Sequence, residues 1–234
     1  MNVFTIYVIP TGELLCDDSG FTFSADIIQL DTNKSNGPVA IQVRGNESLL
    51  SPDCNFPADD GLKTFGYRVT GDLRIDYDLV YRQERKFRQG DDYLFIQANQ
   101  IEPLSSIAFD SSNVIAGFDP ARSNYCHSAN GNTGPYREMR GQVLDVSLAL
   151  TRNNERQTNT PLWIKAIFAG QKSSYIDRTL NGQSFKGTIS VSGPVYFKNW
   201  VKADDDGNVA KRIEVNVNVY QYKVVQNQNM RLVA

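Results

Sequence analysis

Apolar and polar residues alternate with a period of two along most of this chain, the spacing that turns one side of an extended strand to a core and the other to water. Val39-Ala40-Ile41-Gln42-Val43, Tyr67-Arg68-Val69-Thr70 and Leu73-Arg74-Ile75-Asp76-Tyr77 carry it in the first half. The pattern predicts strands over 3–9, 21–30, 39–45, 66–77 and 93–101, then over 143–150, 162–168, 188–200 and 212–225. One helix is expected at 173–180, stopped by Asn181-Gly182. Residues 46–63 and 121–140 are rich in Gly, Pro, Asn and Asp and read as loops. Gly90-Asp91-Asp92 reads as a turn.

The stretch 102–112 is the expected boundary, giving domains at 1–104 and 105–234. Each half then holds about five strands, the number of an oligonucleotide-binding (OB) barrel. The fold class is therefore all-β, with tandem OB barrels, the first of them diverged.

The region 187–225 forms a long hairpin with unlike faces. Val195, Phe197 and Val201 alternate with Tyr196, Lys198, Trp200 and Lys202; Asp204 to Asn208 reverses the chain. On the return, Ile213, Val215, Val217 and Val219 share one face, and Glu214, Asn216, Asn218 and Tyr220 the other. The valines belong in a core, which leaves Trp200 and Tyr196 outside among lysines. Stacked bases would explain outward aromatics, with lysines following the phosphates; a tryptophan covering an inter-domain contact is the competing explanation. In Leu162-Trp163-Ile164-Lys165-Ala166-Ile167-Phe168 the arrangement recurs, with Trp163 and Lys165 on one face. Both tryptophans of the chain thus stand beside lysines on expected strands, which favours a binding face.

Composition narrows the classes. Of 234 residues 41% are hydrophobic and 21% charged, with a formal net charge of −2. That fits a globular protein and excludes a uniformly basic coat for duplex DNA, while leaving room for a local basic groove. No apolar run approaches the ~20 residues of a membrane helix, and Met1 to Tyr7 lacks the basic start of a secretory leader. Cys16, Cys54 and Cys126 are scattered and odd in number, which favours a reduced, cytoplasmic protein. Asp204 to Asn208 lacks the ligand spacing of a calcium loop. Cys126-His127 has no partner to complete a catalytic set. No enzymatic activity, metal or cofactor is expected.

An ordered set of short motifs over residues 113–226 resembles the bacterial single-stranded DNA-binding proteins. Asn113-Val114-Ile115-Ala116-Gly117-Phe118-Asp119-Pro120 is similar to that family's first strand, and Val146-Ser147-Leu148-Ala149-Leu150-Thr151-Arg152 to its second. Trp163-Ile164-Lys165 resembles its third, and Gly193, Trp200, Asp206-Gly207-Asn208 and Glu214-Val215 its final hairpin. The resemblance implies that Trp163 and Trp200 stack on bases. Phe168 lies near a third stacking position of the family, but strict alternation puts it in the core. The family's flexible tail with an acidic tip has no counterpart in this sequence, so recruitment of partners through such a tip is not expected.

The expected function is non-catalytic binding of single-stranded DNA or RNA with little sequence preference, in replication, repair or recombination. Trp163, Trp200 and Tyr196 would stack, while Lys165, Lys198, Lys202, Lys172 and Arg152 neutralise phosphates. Two barrels per chain would suit a homodimer with four barrels or a monomer with a short site. The first half carries no such motif: Asp72 and Asp76 interrupt Arg68 and Arg74, and the basic run from Tyr81 to Arg88 is a solvated loop or a hairpin tip that clasps a strand. Two alternatives stand. One is an extracellular or virion β-sandwich, marked by a Cys16–Cys54 disulfide; the other is a primosome-like OB protein that binds mainly proteins.

Overall fold

The computed structural model describes residues 2–29, 38–50, 66–82, 85–104, 108–109, 115–116, 124–150, 161–181, 187–203 and 208–226. The chain begins with β1 (Val3–Pro10), β2 (Leu15–Asp17), β3 (Gly20–Ile27), β4 (Ala40–Gly45), β5 (Gly66–Arg82) and β6 (Arg85–Leu104). β7 (Ala108–Phe109) and β8 (Ile115–Ala116) pair only with each other among the described residues. Then come β9 (Tyr125–Arg140), β10 (Val143–Leu150), β11 (Trp163–Ala169), α1 (Gln171–Asn181), β12 (Gly187–Ala203), β13 (Val209–Asn218) and β14 (Gln221–Gln226).

The hydrogen-bond ladders close two rings of five strands. The first runs β1-β3-β4-β6-β5 and back to β1; the second runs β9-β10-β11-β13-β12 and back to β9. Within each ring the third and fifth strands pair in parallel, β4 with β6 and β11 with β13, and the other pairs are antiparallel. Numbering each ring's strands 1 to 5 gives the order 1-2-3-5-4 in both, the OB arrangement. The fold is all-β, two OB barrels in tandem. In β10 and β11 every second residue is buried, so the period-two pattern fills the ring with Leu144, Val146, Leu148, Ile164, Ala166 and Phe168. Helix α1 plugs its ring with Ile176 and is tied by Ser173 Oγ, which donates to Gly170 O (2.7 Å) and Gln142 O (3.0 Å).

The first strand of the second ring departs from expectation. The segment 113–120 does not supply it: Ile115–Ala116 lies in the separate ribbon, and the strand is Tyr125–Arg140, inside the expected loop. Its inward residues are Cys126, Ala129 and Gly131, too small and too polar in context to give an alternating hydrophobic signal. Gly90-Asp91-Asp92 likewise is no turn; it lies within β6, opposite an irregularity between Asp76 and Asp78 of β5. Of the basic run, Tyr81 pairs with Lys86 and Arg82 with Arg85 at the end of the β5–β6 ladder.

β12 changes partners along its length. Its first part lies between β9 and β14, and from Val195 onward it pairs with β13. Gly193 marks the change with a φ of 156°, and a β carbon there would overlap the carbonyl of Asn218. Only glycine meets both conditions.

The rings are fastened to one another. β1 pairs with β9, and the buried apolar residues of both rings form one continuous cluster. The Gln29 side-chain amide caps the free edge of β12, accepting from Phe197 N (2.7 Å) and donating to Phe197 O (3.2 Å). Asn124 accepts from Tyr7 N (2.8 Å) and donates to Ile28 O (2.9 Å). Asp92 of the first ring, with a side chain 0% exposed, accepts from Ile213 N (3.0 Å) and pairs with Arg212 Nη1 (3.3 Å). Each of these polar groups is satisfied by the opposite ring, which makes the junction specific rather than merely adhesive.

Candidate nucleic-acid interface

The outward positions of the second ring line up in rows across its strands. Ser147, Lys165, Asn216 and Tyr196 form one row from β10 to β12. Ala149 faces Trp163 in the next, and Lys198 faces Glu214, which precedes the partner of Ile164 by one residue and so stands in line with Trp163. Trp200 opposite Arg212 and Lys202 opposite Ala210 continue towards the end of the hairpin. Trp163 is 37% exposed and Trp200 38%. Fold and register therefore put both tryptophans, Tyr196, Lys165, Lys198 and Lys202 on one face.

β9 leaves room for the Trp163 indole. A β carbon at Gly134 would overlap the edge of the six-membered ring of the indole and the hydroxyl of Ser147. The indole thus reaches across β10 to the bare backbone of Gly134 and still leaves Trp163 more than a third exposed. Tyr136, two residues on, is 41% exposed and holds its ring 5.7 Å from Lys165 Nζ. Its hydroxyl donates to Glu138, which raises its pKa, while Arg140 chiefly holds the Glu138 carboxyl below the usual range. Tyr136 and Gly134 were hidden in the stretch read as a loop; an aromatic beside Gly-Pro was the available signal.

The electrostatics are mixed. Lys165 is committed to Glu214 at 3.0 Å, both side chains being partly exposed. Lys198 and Lys202 are exposed. The Tyr196 phenol is pushed up to about 12, first by burial and then by the Glu214 and Asp145 charges, so it stays neutral in any ordinary buffer. Arg212 fills the contact between the rings, donating to Gly90 O (2.5 Å) and pairing with Asp92. Arg212, the cross-strand partner of Trp200, thus makes a polar contact between the rings.

One expected residue stands away from the face. Lys172 stands on α1 and donates to Val219 O (3.2 Å) and Tyr220 O (2.7 Å), holding the break between β13 and β14. Val219 is five residues from Glu214, ~16 Å along a strand, so its ammonium is both spent and distant. Arg152 falls outside the described residues. Phe168 is fully buried against the edge of Tyr222 (5.7 Å between centroids), as alternation required. In the first ring, Arg44 stacks over Phe95 at 4.1 Å and bonds Gln42, while Arg74 pairs with Asp72 at 2.9 Å.

No catalytic pair forms at Cys126-His127. The Cys126 thiol is buried, its pKa pushed up to about 12 by that burial, and it faces Val191 O; His127 is exposed and shares a hydrogen bond with Thr5 Oγ1 (2.8 Å). Cys16 is an exposed thiol on β2, and Cys54 lies outside the described residues.

No protein-family model and no curated protein sequence matches this chain. Among solved structures, the chain is similar to the single-stranded DNA binding protein of Thermus aquaticus, in a deletion mutant form. The identity is 12%, the match covers 95% of this chain and 93% of that one, and the TM-score is 0.47. It is also similar to the mitochondrial single-stranded DNA binding protein Rim1 of S. cerevisiae. There the identity is 14%, over 45% of this chain and 97% of that one, with a TM-score of 0.29.

Proposed function

We propose that the outward face of the second barrel binds single-stranded nucleic acid, DNA before RNA, without catalysis and with little sequence preference. One observation carries the reading. Trp163 and Trp200, each more than a third exposed, share a face with Tyr196, Lys198 and Lys202 on a ring of OB order. Base–aromatic stacking contributes about 1–3 kcal/mol per base and works with every base, because each has a π-face. Lysines at the rim add a salt-sensitive contribution from phosphates. Tyr136 extends the aromatic set beyond the residues chosen from the sequence.

The same reading places the protein in the cytoplasm, as a dimer of two-barrel chains serving replication, repair or recombination. The scattered, odd cysteines and the two rings per chain support those points. Among the described residues no helix is long and apolar enough to cross a membrane.

The test is a titration with oligo-dT followed by tryptophan fluorescence at low and high salt. Strong quenching that salt weakens and Trp200→Ala reduces is the expected result. An unchanged signal together with no binding at low salt would sink the proposal.

A further inference from the structure

Asn216 sits in the middle of the aromatic face with a hydrogen-bond donor that no described residue takes up. Alternation on β13 sends Val215 and Val217 into the barrel and Asn216 outward, between Lys165 on β11 and Tyr196 on β12. Yet Asn216 is only 1% exposed. Its Nδ2 is buried and has no partner among the described residues. A buried amide donor left unpaired is costly, and native proteins satisfy nearly all of them, so an exception asks what satisfies it in another state.

Asn216 stands between Lys165 and Tyr196, and on the Lys165 side its neighbour is charged and movable. Lys165 stands directly across from it, and its ammonium reaches Glu214, two residues before Asn216 on the same face. The Lys165 stem therefore runs beside the amide, held by one partly exposed ion pair. Such pairs are weak, and a phosphate competes for the same ammonium on equal chemical terms.

We propose that Asn216 is a ligand-binding donor at the floor of the face, closed by the Lys165–Glu214 ion pair and opened when a strand phosphate takes Lys165. This deepens the single-strand reading and rests on it. The ligand atom is an acceptor oxygen of the strand, either a base carbonyl or a phosphate oxygen. No covalent step is involved: the ammonium exchanges one anion for another, and the amide gains a partner.

Asn216→Leu separates this role from a structural one. Removing an unsatisfied donor leaves thermal stability equal or higher, while oligo-dT affinity falls roughly tenfold, the worth of one buried hydrogen bond to a charged or well-placed acceptor. An abasic oligonucleotide in parallel identifies the oxygen. A similar loss on both strands assigns a phosphate; a loss confined to oligo-dT assigns a base carbonyl. Asn216→Ala repeats the measurement without added bulk if the leucine variant folds poorly. Glu214→Gln frees Lys165 and should tighten binding about two- to fivefold. Glu13→Gln, an equal change of net charge at an exposed site, should not. Wild-type binding with undiminished affinity in both Asn216 variants overturns the donor, and no gain in Glu214→Gln overturns the cover. If wild-type protein does not bind oligo-dT, the single-strand reading itself has failed.

Discussion

At the scale of the residue, the face depends on an absence as much as on a side chain. Trp163 can present its ring because position 134 has no β carbon. In Gly134→Ala the indole must lift or the strand must shift, at a cost of about 1–3 kcal/mol for an overpacked contact. We expect a changed tryptophan emission in the free protein and a roughly tenfold weaker oligo-dT affinity, the lower end of one base stack. Unchanged emission and affinity would mean that the indole does not lie where binding needs it. Asn216 makes a similar point with a polar group, since its burial and its missing partner are visible only once three strands are placed side by side.

At the scale of the element, lysines of one sequence neighbourhood have different work. Lys198 and Lys202 alternate outward on β12, and both are exposed. Lys172 on α1 instead binds two carbonyls at the break between β13 and β14. Salt dependence distinguishes them, because each neutralised phosphate contributes about 0.7 to the slope of log affinity against log salt for a single strand. Lys198→Ala should lower that slope by about this amount with little change in stability. Lys172→Met should leave the slope alone and reduce stability by about 1 kcal/mol, the worth of its hydrogen bonds. A salt slope reduced equally by both substitutions would return Lys172 to the binding face.

At the scale of the whole molecule, the rings are joined through a buried charge. Asp92 and Arg212 have side chains 0% and 8% exposed, and the carboxylate also accepts from Ile213 N. Replacing Asp92 by Ala would leave the Arg212 guanidinium buried without its counter-ion, at a cost of about 3–5 kcal/mol. Urea denaturation should show that loss. Because Arg212 is the cross-strand partner of Trp200, the tryptophan emission should change at lower urea than the far-ultraviolet signal of the strands. A loss below about 1 kcal/mol would show that the first barrel does not hold the hairpin through this pair.

Alternation alone was enough for most of the strands, because a strand with one wet face must bury every second residue; β3, β4, β10 and β11 follow directly from it. It also put Trp163, Trp200, Tyr196 and their lysines outward, since their apolar neighbours could go only inward. The sequence failed where burial did not need large apolar groups. β9 turns Cys126, Ala129 and Gly131 inward, so it reads as a loop, and its Gly134 and Tyr136 were lost with it. Tertiary structure alone settled which strands are neighbours, and with that the partner of every charge. Lys165 meets Glu214 across a parallel pair 49 residues apart, Arg212 meets Asp92 from the other ring, and Lys172 is spent on a strand break. Local periodicity fixes the direction of a side chain, because that follows from the backbone it stands on. What the side chain touches is set by the closure of the rings, which brings together residues that no spacing along the chain connects.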